Sequence, residues 1–239
     1  MSMAATGGRY RWVVNPLSGI LGEAWRMYRA HALHLLTIAF AVYVVATLIQ
    51  ALLTSSLGVV GALLASIVGI IAAFLVQAAL VKAVEDVRDG RVDLSLGDTL
   101  KAAGPAVGRV AIASILAGIA IGVGLILFIV PGLFLLTIWC LIVPVLVIEG
   151  VSIGTSFSRS RQLVRGFQWN VFATIVTVFV LGIVAAIVLS LILVPLPDAP
   201  RQILSGLISG TLFAPFSALV VTLAYFRLVH SQESVTGTG

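Results

Sequence analysis

Charge is what this sequence has least of. Asp, Glu, Lys and Arg make up 10% of its 239 residues, against about 25% in soluble domains. A water-facing surface needs charge of both signs, so a soluble globular fold is excluded. Cysteine is nearly absent too. A single Cys140 allows neither an intrachain disulfide nor a thiolate metal cluster, and its apolar neighbours make it a packing residue. Histidine is limited to His31, His34 and His230. His31 and His34 lie one turn apart, but no third ligand accompanies them and Glu23 is the nearest acid in sequence. No metal and no cofactor is expected. No Asp, Glu, Lys or Arg falls in the middle of any long apolar run. Intramembrane charges mark proton relays and ion pathways, so their absence argues against a proton-coupled pump.

What the sequence does have is apolar length. It is 60% hydrophobic with a mean hydropathy of +1.18. Lipid tolerates such a surface, and in lipid only helices and closed barrels satisfy every backbone group. Barrel strands alternate with period two, whereas these runs are unbroken. The fold class is therefore all-α, a polytopic membrane protein. A span needs about 20 apolar residues. Breaks at Thr54–Gly58, Pro131-Gly132 and Pro195–Pro200 divide the runs into six transmembrane helices, about 32–53, 59–81, 110–130, 133–148, 170–194 and 203–226. The first run is too long for a signal-peptide core. With the N-terminus inside, Arg201 is the one basic residue of the 14 that falls outside. The positive-inside rule then places both ends in the cytoplasm. The net charge of +5 sits beside the spans, so anionic headgroups are the expected counter-charge and nucleic acid is not.

Three inside segments share a pattern: LGEAWRMYRAH (21–31), LGDTLKAAGPAVGR (96–109) and IGTSFSRSRQLVRG (153–166). Each starts with an aliphatic residue and a glycine and places a large apolar residue at one offset, Trp25, Leu100 and Phe157. The chain reads as three repeats of an elbow helix plus a hairpin. The interfacial helices are expected at about 16–30, 95–104 and 152–165, within a membrane domain over 16–230. Tails cover 1–15 and 231–239. Asn15 and Pro16 suit the start of the first elbow, with Trp25 and Tyr28 as headgroup-level anchors. Ser95 and Ser152 are caps for the second and third, and Gly104-Pro105 should bend or end the second. Gly90 is a helix stop after a second span that continues past Lys82. Gly118/Gly122, Gly206/Gly210 and Gly61/Ala65 are small pairs one turn apart that allow close packing inside the bundle. Gln50 and Gln77 are the most polar side chains in the runs, read as bonds across helices. Pro144 and Pro215 should kink their spans.

The candidate contacts are Arg26 and Arg29 on the first elbow, Glu149 at the end of span four, and Arg159, Arg161 and Arg165 on the third elbow. A Glu149–Arg159 ion pair would fix the elbow angle, and the three arginines could hold an anionic headgroup. The stretch Pro131-Gly132-Leu133-Phe134, Trp139, Pro144, Glu149, Ser156, Arg159-Ser160, Leu163, Gly166 and Trp169 resembles a bacterial six-span family. That family includes the membrane domain attached to some glycerophosphoryl diester phosphodiesterases and YciC-like uncharacterised proteins. The N-terminal LGEAWRMYRAH is similar to its opening motif. The resemblance implies a bacterial cytoplasmic (inner) membrane protein. It implies no phosphodiesterase activity here, because in the fused enzymes that activity belongs to a separate barrel of about 250 residues, whose acid and histidine cluster has no counterpart in this sequence. The expected function is a non-enzymatic membrane scaffold, or a module binding lipid or a membrane-protein partner. A transporter or channel for a lipid or small molecule is the alternative. An intramembrane lipid-modifying enzyme, drawing on His31, His34, Glu149 and the arginines, is the third.

Overall fold

A computed structural model describes residues 15–88 and 96–236. Every described element is a helix: α1 Ile20–Ala30, α2 Ala32–Arg88, α3 Leu96–Leu127, α4 Ile129–Trp139, α5 Ile142–Pro144, a π-helical turn Val145–Glu149, α6 Ile153–Val164, α7 Gln168–Ile192 and α8 Asp198–Thr236. Five helical segments are long and apolar enough to cross a bilayer: Ala32–Arg88, Gly97–Leu127, Ile129–Glu149, Gln168–Ile192 and Ile203–Glu233.

The 57-residue α2 would be about 86 Å long if straight, nearly three times a hydrocarbon core of about 30 Å. It is not straight. Gly58 sits at φ 53°, ψ −126°, a conformation open to glycine. Beyond it the chain doubles back. A Cβ on Gly69 would lie 2.6 Å from the Gln50 amide nitrogen, although those residues would be about 28 Å apart along one helix. α2 thus supplies two antiparallel arms. The reversal is confined to Gly58. Thr54 and Ser56, expected in the break, stay helical and turn their hydroxyls onto the Gln50 and Leu52 carbonyls at 2.8 and 2.7 Å.

Other boundaries also differ from the sequence reading. The α3–α4 reversal falls on the extended Phe128 (φ −154°, ψ 130°), not on Pro131-Gly132. Pro131 lies in the first turn of α4, where a missing N–H costs nothing. Gly132 serves close approach: a Cβ there would lie 2.6 Å from the Leu125 backbone nitrogen. The second elbow is not a separate helix. α3 runs unbroken through Gly104-Pro105 for 32 residues, since proline removes one bond and a membrane helix can re-satisfy it. The first elbow begins at Ile20, after Gly19 in the left-handed region. Asn15 closes a preceding turn instead, accepting from the Leu17 N–H at 3.0 Å. α8 continues to Thr236, into the region expected as a tail. Ser152 does cap α6, accepting from the Thr155 N–H at 3.3 Å. The Gly90 stop and the Ser95 cap lie outside the described residues.

Packing is uneven along the bundle. At the end where Lys82, Arg109, Glu149 and Arg227 gather, Leu80, Val84, Val110, Val145, Leu146, Leu163, Leu219 and Leu228 are fully buried. At the opposite end, near the reversals, Val59 is 81% exposed, Ile126 85% and Phe128 73%. Water would not tolerate a continuous apolar surface of that size, so lipid is its solvent. Of the small-residue pairs, Gly61 meets the Leu53 backbone and Gly210 meets the Tyr43 ring, but Gly118, Gly122 and Gly206 face open space. Internal packing therefore accounts for only part of that pattern.

Candidate functional site at the charged end of the bundle

The segment Ile129–Glu149 carries the chemistry of this end because its α-helix is interrupted. α4 stops at Trp139, the chain turns at Cys140 and Leu141, and the π-helical turn after Pro144 closes at Gly150 (φ 66°). Proline has no N–H to give the Cys140 carbonyl, and a π-turn often marks a functional segment. The widened turn brings Glu149 to the bundle end. There its Oε1 receives two donors, Arg159 Nε of α6 at 3.1 Å and the Tyr225 hydroxyl of α8 at 2.9 Å. Tyr225 is buried; Arg159 and Glu149 are partly exposed.

Arg109 of α3 donates to the Gly150 carbonyl at 2.7 Å and the Val151 carbonyl at 3.3 Å. One arginine therefore holds both residues that lead from the π-turn into α6. Buried Ser160 faces back into the same break. Its hydroxyl donates to the Ile138 carbonyl at 2.7 Å and accepts from the Leu141 N–H at 3.3 Å. Gln232 donates to the Gln162 carbonyl at 2.9 Å, joining α8 to α6.

A second cluster fixes the first elbow. Arg227 donates to the Pro16 and Ser18 carbonyls at 3.0 and 2.8 Å and pairs with Glu23. Arg88 lies over the Phe226 ring, 3.8 Å from its centroid, a cation–π contact. Tyr28 donates to the Leu212 carbonyl at 3.0 Å, and burial pushes its phenol up, which keeps it protonated as a donor. Trp25 stacks on Tyr28 at 5.7 Å, and both rings meet Phe216 edge-on. The two expected headgroup anchors thus pack on α8 as well, with Trp25 still 49% exposed.

The structure divides the sequence candidates. Glu149 and Arg159 come together. Arg161 and Arg165 stand exposed on α6 and at its end. Arg26 and Arg29 are exposed on α1, with Arg29 5.6 Å from the Trp25 centroid. His34 keeps its buried Nε2 without a hydrogen-bond partner. No three His, Cys, Asp or Glu side chains converge as a metal site among the described residues. Sequence reasoning missed Tyr225 and the structural uses of Ser160, Arg109 and Arg227. The two arginines were visible only as topology charges. Tyr225 ends the last apolar run, and its spacing carries no sign of a carboxylate 76 residues earlier.

No family model matches the sequence, and neither the curated proteins nor the solved structures searched contain a match.

Proposed function

We propose that the protein is a non-enzymatic integral membrane scaffold that holds anionic lipid headgroups, or a membrane-protein partner, at its cytoplasmic end. It crosses the bilayer six times as three hairpins, the first and third preceded by a separate elbow helix and the second by the continuous start of α3, with both termini in the cytoplasm of a bacterial cell. The two arms of α2 support the count of six, and the charge asymmetry supports the orientation. The resemblance to the glycerophosphoryl diester phosphodiesterase membrane domain and YciC-like proteins belongs to the same reading.

The observation that carries the proposal is the division of labour on α6. Arg159 is engaged by Glu149, which leaves Arg161 and Arg165 exposed on the segment that begins span five. A basic side chain near an anionic leaflet contributes about 1 kcal/mol, so the pair shifts headgroup affinity about 30-fold. The test is native mass spectrometry of protein extracted from membranes containing phosphatidylglycerol. Arg161→Ala with Arg165→Ala should lose most of the retained phosphatidylglycerol or partner, while the protein still inserts. Unchanged retention by the correctly inserted variant would sink the proposal.

A further inference from the structure

We propose that the cavity between α2, the α4–α5 junction and α8 binds an uncharged amphiphile, with a hydroxyl or ester group in the cavity and a hydrocarbon chain in the adjoining groove between α7 and α8. The inference goes beyond the headgroup reading and does not rest on it.

The cavity encloses about 320 Å³ and includes Tyr43, Gln77, Cys140, Pro144 and Ser217 in its wall. The Tyr43 hydroxyl and the Gln77 amide have no hydrogen-bond partner among the described residues. The Cys140 carbonyl has lost its helical donor, because Pro144 stands at the fourth residue on. Ser217 spends its hydrogen on the Ala214 carbonyl at 3.0 Å and keeps an acceptor free. Unpaired polar groups in hydrocarbon cost several kcal/mol each. Donors and acceptors brought together without partners of their own are therefore complementary to a polar guest.

Three features identify that guest. Among the described residues no Asp, Glu, Lys, Arg or His lines the cavity, so it accepts an uncharged group. Ala73 and Gln77, one turn apart on α2, are both exposed, so the cavity opens along the side of α2, a helix segment apolar enough to lie in lipid. Gln77 precedes Lys82 by a helical rise of about 7.5 Å, just below the level of the charged end, where lipid hydroxyls and esters lie. The groove supplies the other half. It encloses about 760 Å³ and shares Tyr43, Ala214 and Ser217 with the cavity. Beyond them it is walled by apolar side chains including Phe179, Leu189, Ile192 and Ile208. Both volumes fall in the range of small-molecule sites, about 300–1,000 Å³. A mainly apolar chamber that carries a few polar groups, joined to an apolar channel, matches a neutral glycerolipid better than a water-borne solute.

The probe is diacylglycerol with a photoreactive diazirine on one acyl chain, added to the full chain in nanodiscs. A phosphatidylglycerol carrying the same chain is the charged comparison. The expected result is labelling concentrated on α7 between Phe179 and Ile192, competed away by unlabelled diacylglycerol. Tyr43→Phe with Gln77→Leu should reduce it about 30-fold, the effect of losing two hydrogen bonds of ordinary net strength. Labelling spread over the lipid-facing helices, equal labelling by the charged probe, or labelling unchanged in that folded variant would overturn the proposal. If the double variant does not fold, competition in the unaltered protein decides alone, and non-competable labelling is the contrary result. Arg161→Ala with Arg165→Ala should leave diacylglycerol labelling intact, so failure of either idea is read separately.

Discussion

Where the fourth apolar run breaks at Cys140 and Leu141, backbone groups lose their helical partners inside a packed bundle, and Ser160 reaches in to meet two of them. It serves the Ile138 carbonyl and the Leu141 N–H from a fully buried position. Removing that hydroxyl strands both, at about 1–3 kcal/mol. Ser160→Ala should therefore lower the thermal midpoint in detergent, while Ser158→Ala, at an exposed site on the same helix, should stay within about 0.5 kcal/mol. Equal midpoints for the two variants would contradict the stapling role. Tyr225 makes a comparable case. Its hydroxyl is one of two donors on the Glu149 carboxylate oxygen, so Tyr225→Phe should cost about 1.5–3 kcal/mol, the range for a bond to a charged group. An unaltered chemical or thermal midpoint would show that Arg159 suffices. Of this network, sequence could reach the Glu149–Arg159 pair, because ten residues and one elbow separate them. Tyr225 and Ser160 depend on how α6 and α8 come back to the break, which no local pattern records.

Among the elements, the α2 hairpin depends on one backbone conformation. Gly58 has φ 53° and ψ −126°, where an L side chain is strained by about 1–3 kcal/mol. Gly58→Val should destabilise the turn and separate the two arms. Spin labels at Leu52 and Leu64, both exposed, would report this as a longer distance with a broader distribution. A distance unchanged from the parent would show that arm packing alone holds the hairpin. The α6 cap is a smaller effect: Ser152→Ala should cost about 1 kcal/mol, read as a lower thermal midpoint. Element type was legible because unbroken apolar runs leave helix as the only open structure in lipid. The reversals were less so. Pro131-Gly132 looks like a turn, yet proline also suits a first helical turn and glycine a close helix contact, and those are the uses made of them. Gly104-Pro105 reads as a helix end, and α3 passes through it because one proline removes a single backbone bond and a membrane helix can re-satisfy it.

For the molecule as a whole, burial and charge run along one axis. The end that gathers arginine, Glu149 and Tyr225 is closely packed, while the opposite end leaves large apolar side chains exposed. A bilayer satisfies both ends at once if the packed end faces the cytoplasm and the loosely packed helices stand in hydrocarbon. The charge asymmetry that predicts this was readable in the sequence; the tightening at one end was not, since it follows from three-dimensional contacts among α2, α3, α6 and α8. The most direct test is labelling of single cysteines by a membrane-impermeant maleimide in intact cells, in a Cys140→Ala background. Leu57→Cys, Phe128→Cys and Leu196→Cys mark the three reversals, and Ser158→Cys and His230→Cys mark the charged end. The account predicts that the first three label from outside and the last two only after permeabilisation. Labelling of Ser158→Cys or His230→Cys in intact cells, or protection of Leu57→Cys, would contradict six spans with a cytoplasmic charged end.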